Sequence, residues 1–191
     1  MIYSCYFEGA DLITRERQSE VAEELLRIGL KREYGIHEDE VIRNRSGKPS
    51  LKENRSIQIS ISHCDNAVTV ILSKKRVGID IEKVRSFNAS AAGRILSSIE
   101  LEELKMSSRK DAAFFRYWTL KESYIKALGC GFSYPVKKLR ITFTEEKIIS
   151  NRPYAEFHTM EGRNGYITSV CHLGKSETAD EDLREIRITI P

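Results

Sequence analysis

Hydrophobic residues at helical spacing mark the first long element of the chain. Between residues 16 and 34 the apolar side chains recur every three or four positions, and Gly35 follows as a stop signal. This pattern predicts an amphipathic helix whose inner face carries Val21, Leu25, Leu26, Ile28 and Leu30. Residues 42–56, which include Gly47 and Pro49, have no such period and are predicted to form a polar, basic loop.

A period of two replaces the helical spacing after this loop. Residues 56–62 alternate strictly, with isoleucine at 57, 59 and 61 on one face and Ser or Gln on the other. The apolar run 67–72 and the segment 76–84 are predicted to form the next two strands. Because consecutive strands are usually neighbours in space, the three together predict an antiparallel meander.

Past residue 96 the spacing becomes helical again. Ser97 and Glu100 match a capping box at the start of one helix. Asp111 is predicted to cap a longer helix that ends at Gly129. Further strands are then predicted within 137–150, 154–160, 165–173 and 184–190.

The order of these elements predicts an α+β fold. At 191 residues the chain is long enough for one good-sized domain or for two small halves with a shared core. Each half places a helix before antiparallel strands, so we expect two similar halves, 1–96 and 97–191. No sequence repeat marks a duplication.

Composition and charge exclude few functions. With 40% hydrophobic and 31% charged residues, the sequence is typical of a soluble globular protein. A net charge of +3 is too small to indicate nucleic-acid binding, although it suits an anionic substrate or partner. No apolar run is long enough for a membrane span, no secretory signal is visible, and the four cysteines are scattered. We therefore expect a cytoplasmic protein with reduced thiols that binds neither membranes nor nucleic acid.

Two carboxylates share one face of the strand predicted at 76–84. Asp80 and Glu82 alternate with the apolar residues, and their backbones lie about 7 Å apart, so their oxygens can converge on one hard cation. An exposed strand face would explain so short a pattern equally well. Gly78 favours a functional site, because a missing side chain allows close approach of a ligand or of backbone.

A third carboxylate lies on the long helix. Glu122 falls at the edge of the aromatic face, one turn from both Trp118 and Lys126. A surface ion pair would explain this spacing, but a carboxylate beside aromatic surface needs a lysine or a metal as partner. Three carboxylates with water suit Mg²⁺, which usually also binds substrate phosphate. Asp80, Glu82 and Glu122 are therefore candidate Mg²⁺ ligands.

Four motifs of the sequence resemble those of the 4′-phosphopantetheinyl transferases of the larger, surfactin-synthetase-activating (Sfp) type, and they follow one another in the same order along the chain. "VGIDIE" is similar to the family's G-[IV]-D-x-E strand, and "FFRYWTLKESYIKA" to its F-x-x-x-W-x-x-K-E-[AS]-x-x-K helix. Upstream, "SGKPSL" and "ISISHCDN" resemble its G-K-P loop and S-x-S-H-S motif, with Cys64 where a serine is commoner. The resemblance covers residues 46–132, and four ordered motifs are far more specific than one.

The resemblance implies transfer of the phosphopantetheine arm of coenzyme A to a serine of an apo acyl or peptidyl carrier protein, with release of 3′,5′-ADP. Fatty acid, polyketide and nonribosomal peptide carriers are all left open. By the same resemblance, Asp80, Glu82 and Glu122 would hold Mg²⁺ on the pyrophosphate. The carrier serine needs a base, and Glu122 is the candidate, acting directly or through a metal-bound water. The resemblance further implies a pseudo-dimeric monomer with coenzyme A between its two halves.

The resemblance also assigns residues that bind coenzyme A. Lys126 and Lys121 would contact phosphate. Lys48, Ser62 and His63 of the upstream motifs would bind the region of the adenosine 3′-phosphate. Taken alone, a histidine at the end of a strand is also typical of a structural or hydrogen-bonding surface residue. The predicted contacts are Arg17, Lys48, Ser62, His63, Lys121 and Lys126, and the predicted catalytic residues are Asp80, Glu122 and Lys126.

Two functions of other classes remain open at this stage. A Mg²⁺-dependent phosphohydrolase or nuclease would also use an acidic cluster with lysines, but would need no carrier protein. A non-catalytic coenzyme A-binding relative would need none of the three carboxylates. Release of 3′,5′-ADP with and without a carrier protein distinguishes these cases.

Overall fold

Residues 1–9, 12–145, 147–162, 164–174 and 183–190 are described by the computed structural model of this protein, with Phe132 described in its backbone alone. The α-helices are α1 (Arg15–Tyr34), α2 (Ala89–Ile95), α3 (Ser98–Met106) and α4 (Lys110–Leu128). The strands are β1 (Ile2–Tyr6), β2 (Val41–Arg43), β3 (Pro49–Leu51), β4 (Gln58–Cys64), β5 (Ala67–Ser73), β6 (Arg76–Lys83), β7 (Ile141–Phe143), β8 (Ile148–Ser150), β9 (Ala155–Glu161), β10 (Tyr166–Leu173) and β11 (Glu185–Arg187).

The first sheet has the strand order β11-β1-β5-β4, and α1 packs on it. Thr14 caps α1 by accepting the N–H of Arg17 at 3.2 Å, and Gly35 ends it in a left-handed conformation at φ 68°. The predicted helix at 16–34 is thereby confirmed. Its inner side chains are buried among those of the sheet, since Leu25 and Val70 both have 0% exposure.

The second sheet has the order β6-β10-β9, and α4 packs on it. Aromatic and aliphatic residues of α4, among them Phe114, Leu120 and Tyr124, are buried in this core. Both sheets thus carry one long helix, and the predicted α+β fold is confirmed. Each sheet takes a strand from the other part of the sequence, because β6 joins the second sheet and β11 pairs with β1 in the first. The division of the chain at residue 96 therefore stays a prediction.

The predicted meander of three strands is wrong at its third member. β4 and β5 pair antiparallel as expected, but β5 lies between β4 and β1, so β6 finds no free edge there. β6 pairs with β10 instead. Its link to β4 is made by side chains: the hydroxyls of Ser60 and Ser62 accept the N–H groups of Ile79 and Ile81 at 3.1 and 3.3 Å. The polar face of β4 is therefore buried between the two sheets.

Three smaller predictions also need correction. The polar stretch 42–56 contains the hairpin of β2 and β3, which Asn44 closes by accepting the N–H groups of Ser46 and Lys48 at 2.9 Å each. Asp111 lies inside the first turn of α4 and accepts the N–H of Phe87 at 3.1 Å, so it does not cap this helix. β11, predicted as an antiparallel strand, pairs with β1 in parallel. Among the described residues no helix is both long and apolar enough to cross a membrane.

Candidate active site

A cavity of about 550 Å³, called the main cavity below, lies between α1 and α4. The strands β4 and β6 form its floor, and the hairpin strand β2 contributes Arg43 at one side. Six residues predicted from the sequence line it: Ser62, His63, Asp80, Glu82, Glu122 and Lys126. The structure therefore brings the three predicted carboxylates to one cavity.

Close contact between β6 and α4 determines this arrangement. A Cβ atom at Gly78 would lie 2.0 Å from the carbonyl oxygen of Ser123 and 2.4 Å from the backbone nitrogen of Ala127. Only a residue without a side chain lets the strand approach the helix so closely. As a result Asp80, two residues further along β6, lies directly beside Lys126 of α4.

Asp80, Ser62 and Lys126 form a buried polar network at the floor of the main cavity. The Lys126 ammonium lies 2.7 Å from Asp80 Oδ1 and donates to Ser62 Oγ at 2.7 Å. The Ser62 hydroxyl donates to Asp80 Oδ1 at 2.9 Å and accepts the N–H of Ile81. Its predicted contact with coenzyme A stays a prediction and would have to replace one of these bonds. Among the residues that the structure describes, the buried Asp80 Oδ2 has no hydrogen-bond partner.

Glu82, two residues after Asp80 on the same face of β6, also lines the main cavity. Its Oε1 accepts the indole N–H of Trp118 at 3.2 Å, and its Oε2 lies 2.9 Å from Arg85 Nη1. Burial raises the pKa of this carboxyl, and Asp80 adds to the rise, while Arg85 opposes it. The strand and the helix are thus joined by a hydrogen bond between two motif residues.

Glu122 has the most strongly shifted carboxyl of the cavity. Burial raises its pKa from the usual 4.5 to about 7, and the negative charges of Asp80 and Glu82 contribute. Lys126 acts in the opposite direction. A carboxyl with a pKa near neutrality can both accept and release a proton at physiological pH.

The stability of the ligand-free protein should depend on pH through Glu122. Because its pKa is higher in the folded than in the unfolded chain, the folded protein binds more protons between pH 4.5 and about 7. The contribution of Glu122 to the free energy of unfolding should therefore fall as pH rises through this interval. Glu122→Gln removes this contribution. The variant should therefore be more stable than the wild type at about pH 8 and as stable as the wild type at about pH 4. Urea unfolding of both proteins at the two pH values measures this, and a difference that does not grow with pH would contradict it.

Asp80, Glu82 and Glu122 are the candidate metal ligands of the main cavity. Within the ranges that the structure describes, no group of three or more His, Cys, Asp and Glu side chains is arranged to hold a metal ion. Their chemistry nevertheless suits a hard cation, since all are oxygen donors and Asp80 Oδ2 lacks a partner. Burial raises the pKa values of Glu82 and Glu122, and the negative charge of Asp80 adds to both shifts, so a positive charge between the carboxylates would relieve this repulsion.

Several cationic side chains lie near His63, which lines the main cavity. The pKa of His63 is lowered by burial and by the nearby charges of Lys126, Arg15 and Arg43. Arg15 and Arg43 were not predicted from the sequence, although Arg43 belongs to the basic stretch 42–56. Arg17, which was predicted, lies in the first turn of α1 with its Nη1 3.1 Å from Glu20 Oε2, and it is not among the residues lining the main cavity.

Lys48 lines a smaller adjoining cavity of about 210 Å³, but its ammonium is directed elsewhere. It donates to the carbonyl oxygens of Val77, Lys126 and Ala127 at 3.1, 2.7 and 3.0 Å. An ammonium has three donor hydrogens, so these bonds use all of them. Burial lowers its pKa to about 8. In this arrangement Lys48 ties the hairpin of β2 and β3 to the C-terminus of α4, and no donor is left for a phosphate.

The structure places Lys121 away from the main cavity, and its phosphate contact stays a prediction. Its side chain has 0% exposure, and its Nζ lies 2.9 Å from Glu100 Oε2, inside the core of the second sheet. Successive residues of an α-helix point about 100° apart, so Lys121 cannot face the main cavity together with Glu122. Lys126, four residues after Glu122, does face it.

Comparison with known proteins identifies the family. A sequence profile described as the 4′-phosphopantetheinyl transferase superfamily matches residues 76–171, just over half of the chain. The chain belongs to this superfamily. The matched residues contain β6, α4 and most of β10, hence the three predicted carboxylates Asp80, Glu82 and Glu122. The serine and histidine motif of β4 and the hairpin of β2 and β3 lie outside the match.

Individual members of the phosphopantetheinyl transferase superfamily are also similar. The 4′-phosphopantetheinyl transferase psf-1 of Bacillus pumilus is 28% identical over 134 residues, covering 68% of this chain and 58% of that protein. The 4′-phosphopantetheinyl transferase gsp of Aneurinibacillus migulanus is 30% identical over 142 residues, covering 71% and 59%. The matches thus span about three fifths of the length of these relatives. The solved holo-[acyl-carrier-protein] synthase of Thermotoga maritima has a TM-score of 0.47 at 23% identity, covering 55% of this chain and 69% of that one.

Proposed function

We propose that this protein transfers the 4′-phosphopantetheine group of coenzyme A to a serine of an apo acyl or peptidyl carrier protein and releases 3′,5′-ADP. The main support is the cavity in which the two matched elements, β6 and α4, place Asp80, Glu82, Glu122 and Lys126 together. The names of the similar proteins from Bacillus pumilus and Aneurinibacillus migulanus agree with this activity.

The proposal includes Mg²⁺ held by Asp80, Glu82 and Glu122. Its support is the oxygen-only donor set and the buried, unpartnered Asp80 Oδ2. When bound, Mg²⁺ would supply positive charge against the pyrophosphate of coenzyme A. Lys126 supplies a second positive charge at the same place, because its ammonium already lies 2.7 Å from Asp80 and remains partly accessible from the cavity.

Glu122 is the residue best suited to act as the general base. Its carboxyl lines the main cavity beside Asp80 and Lys126, and bound Mg²⁺ would lower the raised pKa that this group has in the metal-free protein, so that it stays a carboxylate able to accept a proton. In the proposed step, its carboxylate takes the proton of the carrier serine, and the serine oxygen forms a bond to the β-phosphorus of coenzyme A. The bond from that phosphorus to the bridging oxygen breaks, and the electron pair leaves with 3′,5′-ADP.

The cationic side chains near His63 would bind the adenosine 3′-phosphate of coenzyme A. Arg43 lines the main cavity, and besides burial the charges of Lys126, Arg15 and Arg43 lower the pKa of His63, so these positive charges lie close together. Anions are attracted to such a cluster before any specific contact forms. We further propose a cytoplasmic monomer that binds neither nucleic acid nor membranes, supported by the sequence through its small net charge and scattered cysteines.

Intact mass spectrometry of an apo acyl carrier protein tests the proposed activity. Incubation with this protein, Mg²⁺ and coenzyme A should add the mass of one phosphopantetheine group, and chelation of Mg²⁺ should prevent the addition. A carrier in which the acceptor serine is replaced by alanine is the control and should stay unmodified. If neither an acyl nor a peptidyl carrier gains mass, the proposal fails. Release of 3′,5′-ADP without any carrier would indicate a phosphohydrolase instead.

A further inference from the structure

Lys121 and Glu100 form an ion pair in the interior of the protein. The side chain of Lys121 has 0% exposure and that of Glu100 has 1%, and their charged atoms are 2.9 Å apart. Neither residue lines the main cavity. Yet Lys121 directly precedes Glu122, the proposed base, on α4.

The charges of this pair are fully satisfied by neighbouring backbone. Glu100 Oε2 accepts the N–H of Ser97 at 2.7 Å, completing the capping box of α3, and its Oε1 accepts the N–H of Ile141 at 2.8 Å. Lys121 Nζ also donates to the carbonyl oxygen of Leu139. The pair therefore links three segments: the start of α3, the middle of α4 and the start of β7.

Such a pair is a costly way to stabilise a fold. Removing two charges from water is unfavourable, and apolar residues of the same volume often serve stability as well or better. What an ion pair with directed hydrogen bonds adds is a defined geometry. Here the geometry that it defines is the rotation of α4 about its own axis.

The rotation of α4 decides which side chains reach the main cavity. Trp118, Glu122 and Lys126 are spaced by four residues and form one stripe along the helix, and all three line the cavity. Lys121 projects about 100° away from Glu122, into the core. An anchor at Lys121 therefore resists any turning of the stripe away from Asp80.

We propose that Lys121 is a positioning residue of the transfer reaction: its buried ion pair with Glu100 fixes the rotation of α4 that presents Glu122 and Lys126 to the substrate. The part that concerns turnover rests on the proposed function. The part that concerns the orientation of α4 does not, because it can be observed without substrate.

Trp118 provides that observation. It is the one tryptophan in the sequence, it lies on the stripe of α4, and its indole N–H donates to Glu82 at 3.2 Å. In Lys121→Met and in Glu100→Gln, measured well below their unfolding midpoints, Trp118 emission should shift to longer wavelength and acrylamide should quench it more easily. Lys105→Met breaks a surface ion pair of 2.8 Å with Glu102 on α3 and should leave Trp118 unchanged.

Kinetics then separate positioning from direct contact. Both variants should lower kcat on the order of 10- to 100-fold, because small displacements of catalytic groups have effects of this size. The kcat of the double variant should be no lower than that of the less active single variant, as expected for two residues that act as a unit. The dissociation constant of coenzyme A should rise much less than kcat falls. Glu100→Gln is the milder change, and it keeps the test decisive if Lys121→Met does not fold.

Two results would overturn the inference. The first is a folded Glu100→Gln variant with unchanged Trp118 emission and turnover within about twofold of the wild type. The second is weaker coenzyme A binding in Lys121→Met alone, which would make Lys121 a phosphate contact. If the wild type modifies no carrier while Trp118 still responds to both variants, the proposed function fails but the role of the ion pair in orienting α4 stands.

Discussion

Replacing Glu122 by glutamine is expected to reduce carrier modification by about 10³-fold, in the range of a lost general base. Glutamine has nearly the same shape but cannot take a proton from the carrier serine. Coenzyme A binding should persist, because Lys126, His63 and Arg43 keep their places in the cavity and a negative charge has been removed from it. The variant should therefore lose kcat and keep most of its affinity for coenzyme A.

Initial rates from mass spectrometry and calorimetric binding of coenzyme A measure the two effects separately. Glu102→Gln is the matched control, since Glu102 lies on the surface of α3 with 71% of its side chain exposed. That variant should behave like the wild type in both assays. Unchanged turnover in Glu122→Gln would reject Glu122 as the base, and a complete loss of coenzyme A binding would assign it to substrate binding.

Local patterns of the sequence predicted the elements that frame this site. The apolar period of α1 with Gly35, the capping box of Ser97 and Glu100, and the end of α4 at Gly129 all depend on residues within a few positions of one another, and all are confirmed. The period of two in β6 likewise placed Asp80 and Glu82 on one face, toward α4.

The contacts that the sequence did not predict depend on distant partners. Lys48 and Lys121 were both predicted to contact phosphate groups of coenzyme A. A lysine within a motif does not reveal which group its ammonium contacts in the folded protein. Lys48 instead meets carbonyl groups 78 and 79 positions away, and Lys121 meets Glu100 across the core. The pairing of β6 with β10 is of the same kind, since nothing in the sequence of β6 specifies its partner strand.

Alternation placed the serines of β4 on one face but did not specify what covers that face. Alternation indicates that Ser60 and Ser62 share a face, and an alternating strand usually turns its polar face to water. Here that face is covered by β6, whose N–H groups need acceptors, and the hydroxyls provide them. A polar face can therefore be an internal one wherever a second strand crosses it without pairing.

The contact between β6 and α4 leads to the second large expected effect. Gly78→Ala should lower the free energy of unfolding by about 3 kcal/mol, at the upper end of the usual cost of overpacking. The added Cβ would lie 2.0 Å from the carbonyl oxygen of Ser123 and 2.4 Å from the nitrogen of Ala127. Both are backbone atoms of α4, so no side chain can move aside, and the strand and the helix must separate.

Separation would also disturb the chemistry, because Asp80 is carried by β6 and Lys126 by α4. The 2.7 Å contact between them should lengthen, and turnover of the folded variant should fall with it. Urea unfolding and initial rates measure the two effects. Gly93→Ala is the control: Gly93 lies inside α2 with no atom within 4 Å of its added Cβ, so helix propensity should make that variant slightly more stable. A Gly78→Ala protein as stable as the wild type would show that the strand and the helix tolerate a wider spacing, and the position of Asp80 would then have to be fixed by its partners in the polar network alone.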